Sequence, residues 1–138
     1  MINPIKLAAI ALAGMLAATA AHADGHPTCD ADAIKLGAKQ FKKCKACHKL
    51  DAKNGIGPHL AQLANRPVAS VDGFKYSKPM TAFAEGGSVV WDFANFDKFI
   101  KKPKKLIKGT KMSFGGIKKD AQRAALFCYL EAEGGGSS

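Results

Sequence analysis

Cys44-Lys45-Ala46-Cys47-His48 sits a third of the way along this 138-residue chain. Cys-x-x-Cys-His is the attachment pattern for covalent haem. Two thiols three residues apart can each add to one vinyl group of a porphyrin. The adjoining imidazole then lies under the iron as an axial ligand. Two other readings compete for the pentapeptide. A thioredoxin-like dithiol needs a βαβ context, and no such alternation surrounds it. A zinc site needs a second pair of ligands at suitable spacing, and none follows. The haem reading is the one the neighbouring sequence supports.

The segment before the motif sets the compartment. Met1 to Ala23 reads as a secretory signal: Lys6 gives the positive start, Leu7 to Ala21 the apolar run, and Ala21-His22-Ala23 the small-x-small cleavage site. The competing reading is an uncleaved anchor, for which the run is short and alanine-rich. Export to a bacterial periplasm follows, where haem meets thiols outside the cytoplasm. Residues 24–133 are then one domain with a modest core, and 134–138, glycines and serines, a flexible tail. Cys29 and Cys128 remain as an even pair in an oxidising compartment, so a disulfide is expected, the alternative being two buried thiols.

Helical spacing appears three times. Ile34, Gly37, Ala38 and Phe41 recur between Asp30 and Lys43, with Asp30 and Asp32 at the positive end of the helix dipole. Phe93, Phe96, Phe99 and Ile100 form an apolar stripe that opens after Asp92, a candidate N-cap, and stops at Pro103. A third helix starts near Lys119 or Asp120 and carries Ala121, Ala124, Ala125, Leu126, Cys128, Tyr129 and Leu130. Turn dipeptides such as Asn54-Gly55, Gly57-Pro58 and Gly86-Gly87 punctuate the region between. Short helices fit at Lys78 to Glu85 and near Leu60 to Asn65. No period-2 run occurs, so the chain reads as mostly α, with long loops wrapped around a flat apolar cofactor.

A six-coordinate iron needs a second axial ligand. Beyond the leader only Met80 and Met112 are methionines. Met112 lies in Gly109-Thr110-Lys111-Met112-Ser113-Phe114-Gly115-Gly116, whose glycines let the backbone bend close to a ring face. Met112 is therefore the expected sixth ligand, and Met80 reads as a packing or loop methionine. His59 and His26 are the bis-histidine alternatives. The first is too near His48 along the chain, and the second lies in the N-terminal entry.

Taken in order, these motifs resemble a class I cytochrome c, the small soluble branch that includes mitochondrial cytochrome c. The resemblance runs from Ile34 to Leu130 through Gly37-x-x-x-Phe41, Cys-x-x-Cys-His, Gly57-Pro58, Gly73-Phe74-x-Tyr76, Trp91, Pro103, Gly-Thr-Lys-Met112 and Tyr129-Leu130. It implies an all-α fold, three main helices plus short helices and loops around one covalent haem. It also implies that Pro58 offers its carbonyl to the Nδ1–H of His48, that Arg66, Tyr76 and Trp91 reach a buried haem propionate, and that the helices bearing Gly37 and Tyr129 cross closely. The sequence departs from the family pattern at four points. Phe99 replaces a tyrosine that hydrogen-bonds the methionine sulfur, Asn65, with Pro67 two residues on, replaces the glycine before Arg66, His59 stands where asparagine is common, and the Cys29 and Cys128 pair is an addition.

The same resemblance implies a single-electron carrier, fed by a quinol:cytochrome c oxidoreductase and emptied by a terminal oxidase, reaction centre or reductase. No nucleophile beside a base and no placed carboxylate pair argues for an enzyme. The net charge of +10 suits acidic protein docking surfaces and at most transient contact with anionic lipid, and export excludes nucleic acid. Lys42, Lys43, Lys45, Lys49, the run from Lys101 to Lys111, and Lys118 and Lys119 would frame the haem edge as a steering patch; plain solubility is the competing use. The carrier is expected to be monomeric. A haem subunit of a periplasmic dehydrogenase, or a gas-binding sensor, are the functional alternatives.

Overall fold

A computed structural model describes residues 25–135. Residues 1–24, which hold the signal expected at 1–23, and residues 136–138 of the expected tail lie outside the described residues.

α1 runs from Ala31 to Phe41 and opens on Asp30, whose carboxylate accepts the Ala33 N–H at 2.8 Å. α2, Lys78–Phe83, is capped by the Ser77 hydroxyl, and a short 3-10 turn, Glu85–Gly87, follows it. The helix expected up to Glu85 therefore stops at Phe83. α3, Phe93–Lys101, starts at the cap foreseen from sequence, with the Asn95 N–H on the Asp92 carboxylate at 2.7 Å. Pro103 does not leave a loop behind it. It becomes the first residue of α4, Pro103–Leu106, where its missing N–H costs nothing. α5, Asp120–Glu133, completes the set.

Leu60 to Asn65 forms turns rather than a helix. Gln62 and Asn65 have φ of 52° and 59°, a left-handed conformation no α-helix accommodates. The Gln62 N–H bonds the Gly134 carbonyl at 2.7 Å, so a residue from the far end of the chain dictates this local backbone. Gly134 itself is buried. It belongs to the packed domain rather than to the free tail in which sequence placed it. The described residues contain no strand, only an isolated bridge between Pro67 and Val90.

α1 and α5 cross at the centre. A Cβ on Gly37 would come within 2.5 Å of the Tyr129 Cβ and 2.8 Å of the Ala125 carbonyl carbon. Only glycine lets the two backbones approach this closely. One turn on, the Phe41 and Tyr129 rings meet at 5.4 Å between centroids. α3 packs on α5 through Phe93 and Phe96, both against Phe127.

Arg123 is 2% exposed and fastens this junction. Its Nε donates to Asp97 on α3 at 2.6 Å, one Nη to the carbonyls of Ile117 and Lys118, and the other to Asp97 and Asp120. A buried guanidinium is tolerable when its donors are matched in this way. The expected disulfide is present: Cys29 and Cys128 are bonded, with Cα atoms 5.2 Å apart. It ties the N-terminal entry to α5, beside the contact of His26 Nε2 with the Glu131 carboxylate at 2.9 Å.

Candidate haem site

The Cys-x-x-Cys-His segment prolongs α1 as consecutive turns. Cys44 N–H bonds Phe41, and Cys47 and His48 N–H both bond the Cys44 carbonyl, at 3.0 and 2.9 Å. Helix-like winding brings both thiols and the imidazole to one wall of a cleft. The following loop folds back on them through Gly57 N–H to Cys47 and Leu60 N–H to Lys49.

The cleft measures about 370 Å³ and is lined by all nine residues singled out from sequence: Cys44, Cys47, His48, Pro58, Arg66, Tyr76, Trp91, Phe99 and Met112. Its other walls are mostly apolar, with Leu63, Phe74, Phe96, Ile100, Leu126 and Leu130 among them. A mostly apolar cavity with a few convergent polar groups is the usual form of a cofactor site. A shallower groove of about 710 Å³ between the entry segment, α1, α3 and α5 shares none of these residues.

His48 is oriented by one contact. Its Nδ1 lies 2.7 Å from the Pro58 carbonyl. A carbonyl can only accept, so Nδ1 carries the proton and Nε2 keeps its lone pair for a metal. Burial lowers the pKa of the ring, the Pro58 bond pulling the other way and Arg66 adding to the fall. The imidazole is therefore held neutral, as a ligand must be. Gly57 presses on its face: a Cβ there would sit 2.8 Å from Nδ1 and 2.9 Å from Nε2.

Neither Cys44 nor Cys47 is in a disulfide; the first is buried and the second exposed. Burial pushes the Cys44 thiol up to about 11, with Lys43 opposing and Cys47 adding to the rise. Arg66 is anchored by Nη1 on the Ala61 carbonyl at 2.7 Å and Nη2 on that of His59 at 3.1 Å. Its Nε is buried without a partner. A haem carboxylate is the kind of acceptor such a donor lacks. Asn65, which takes the place of a glycine before Arg66, adopts the left-handed φ that glycine would supply. The substitution therefore keeps the turn. The Tyr76 hydroxyl accepts the Val71 N–H at 3.2 Å, which leaves its own proton to give. Trp91 packs on Phe99 at 5.2 Å.

Several contributors were not foreseen. Met80, read as a packing methionine, is buried and also lines the cleft, from α2. Its neighbour Pro79 sits where a Cβ on Gly109 would meet it at 3.1 Å. α2 thus lies beside the loop carrying Met112. Lys111 pins that same loop by donating to the Lys75 carbonyl at 3.0 Å. Ser77 and Thr110 also line the wall. His59 does not. Of these, only Thr110 and Lys111 stand in a motif that sequence had marked.

Residues 34–132 match the family model described as cytochrome c. The chain is 42% identical over 96 residues to cytochrome c2 of Rhodoblastus acidophilus, covering 68% of this chain and 86% of that one. It is 43% identical over 97 residues to a cytochrome c-type cyt cy of Rhodobacter capsulatus, covering 70% of this chain and 47% of that longer protein. Among solved structures, cytochrome cH from Methylobacterium extorquens superposes with a TM-score of 0.65 at 33% identity, covering 72% of this chain and 97% of that one. With a family model across most of the domain and the attachment motif, its histidine and its proline in one cleft, this chain belongs to the cytochrome c family.

Proposed function

We propose that the chain is a diffusible periplasmic electron carrier and not an enzyme, with His48 and Met112 as the two axial ligands of a haem c held through Cys44 and Cys47. The family supplies the cofactor, and the cleft fits it. Two free thiols and a neutral, oriented imidazole share one wall, and a buried guanidinium lacks an acceptor. When bound, the haem supplies a metal that gains and loses one electron.

The chain's residues do the rest. Pro58 fixes the tautomer and direction of His48. Gly57, held in place by its hydrogen bond to Cys47, leaves room for the ring where a Cβ would collide with it. Arg66 and Tyr76 offer donors to the propionate end. Phe96, Phe99, Ile100, Leu126 and Leu130 exclude water, which lowers the dielectric around the charge that changes. Lysines beside the cleft, Lys43 and Lys111 in its lining, meet acidic faces of the donor, a quinol:cytochrome c oxidoreductase, and of the acceptor, an oxidase, reaction centre or reductase.

The observation that carries this reading is the His48 Nδ1–Pro58 bond at 2.7 Å, because it frees Nε2 toward a cavity that Met112 also lines. Absorption spectra and intact mass of the exported protein test it. Expected are the mass of one added haem and a weak far-red sulfur-to-iron band that is lost in Met112→Ala. A band that survives in Met112→Ala and vanishes in Met80→Ala would move the ligand to α2. Prompt carbon monoxide binding by the reduced protein at neutral pH would favour a sensor instead.

A further inference from the structure

Two buried side-chain nitrogens among the described residues have no hydrogen-bond partner, Arg66 Nε and His59 Nδ1. Buried polar atoms in native proteins nearly always find one, so each calls for an explanation. The first lies in the cleft wall and is accounted for by a propionate. The second belongs to a residue outside that wall which the carrier reading leaves without a task.

The two residues form one unit nonetheless. Arg66 Nη2 holds the His59 carbonyl at 3.1 Å, so the guanidinium is clamped to the backbone that bears the imidazole. The His59 N–H is held in turn by Asn54 Oδ1 at 3.1 Å, and Asn54 Nδ2 bonds the Asp72 carbonyl at 3.0 Å. The backbone of a titratable residue is thereby tied to a cation that lines the cleft.

We propose that His59 is a proton-binding site coupled through Arg66 to the charge in the cleft, so that the chain gains a proton at this imidazole on accepting an electron and loses it on giving the electron up. This rests on the electron-carrier reading. The oxidised chain holds one more positive charge in the cleft, and that charge disfavours a nearby imidazolium. Uptake of one electron from a one-electron reductant removes the charge, and a proton from water completes the imidazolium. Coupling of two binding events is reciprocal, so a protonated His59 eases electron uptake and raises the reduction potential as pH falls. The groups acting on the ring are Arg66, which opposes protonation, and Asp51, which favours it. Arg66 is in turn disfavoured as a cation by burial and favoured by the Tyr76 phenol.

The holoprotein provides two readouts. The His59 ring-proton resonance, followed from pH about 4.5 to 8 in each oxidation state, is expected to titrate at higher pH in the reduced protein. The reduction potential of the native protein is expected to rise as pH falls between those two midpoints, and His59→Asn should lose that rise. Equal midpoints in the two oxidation states, or an unchanged pH profile in His59→Asn, would overturn the proposal and assign any pH dependence to another group. If the variant does not fold, the two midpoints of the native protein decide alone. A holoprotein with no reversible one-electron wave would sink the carrier reading and this proposal together, whereas a normal wave indifferent to His59 removes the proposal alone.

Discussion

Gly57 leaves room for the His48 ring, and the main chain at that position cannot back away because its N–H is engaged by the Cys47 carbonyl at 2.9 Å. Gly57→Ala must therefore displace the imidazole or strain the loop. Overpacking of this kind costs about 1–3 kcal/mol, read as a lower midpoint in guanidinium unfolding of the holoprotein. An unchanged midpoint would mean the ring is free to swing. Protonation perturbs the same neighbourhood. His48 and His59 both have pKa values below the ordinary 6.5, chiefly through burial, so at mildly acid pH the unfolded chain binds protons that the folded chain refuses. By linkage this stability is fully present above 6.5 and is lost as pH falls below it. Coordination of the proposed haem iron by His48 would act in the same direction. The unfolding midpoint should decline on acidification from neutrality, and His59→Asn should make the decline shallower. A midpoint flat to well below 6.5 would contradict it.

At the scale of elements, the helices were legible wherever the signal is local. Asp30 and Asp92 are caps because a carboxylate satisfies an N–H three residues on, and that needs no knowledge of the rest of the chain. Pro103 ends α3 for an equally local reason. The misses share one cause, partners far along the chain. Gln62 is turned out of helical φ by a bond to Gly134, and Met80 reaches the cleft only once α2 packs beside the Met112 loop. Arg123 drew no reading from sequence, because the partner that fixes it across the α3–α5 junction, Asp97, lies 26 residues away, although Asp120 and the Ile117 and Lys118 carbonyls are close to it along the chain. Its removal has a definite cost. Arg123→Met leaves Asp97 and the Ile117 and Lys118 carbonyls without their donor, and breaking a buried pair from one side typically loses about 3–5 kcal/mol. Asp97 keeps 29% side-chain exposure and can recover some hydration, which points to the lower end, about 3 kcal/mol. Chemical denaturation of the holoprotein measures this, and a loss below about 1 kcal/mol would show that the bracket is ornamental to the α3–α5 junction.

Over the whole molecule, two properties belong to no single element. The first is closure. The Cys29–Cys128 bond spans 99 residues, and a loop of that length restricts the unfolded chain by about 4–5 kcal/mol in the entropic model. Disulfide and Gly37 crossing both act on α5, so the ends of the chain are fastened around the middle that forms the cleft. The second is charge. A chain of net +10 carrying Lys43 and Lys111 in the cleft lining and Lys45 within the attachment motif presents a positive field at the place where electrons enter and leave. Such a field raises encounter rates with acidic partners and is screened over about 10 Å at 0.1 M salt. Electron transfer to an acidic redox partner should accordingly slow as ionic strength rises past about 0.1 M. Lys45→Glu should slow it several-fold at low salt and converge on the native rate at high salt. Lys35→Glu, of equal charge change but on an exposed position of α1 more than two turns before the motif, should slow it less. Equal slowing by both variants would mean that net charge alone sets the rate. A bimolecular rate indifferent to salt in all three proteins would remove steering from the mechanism while leaving the haem site intact.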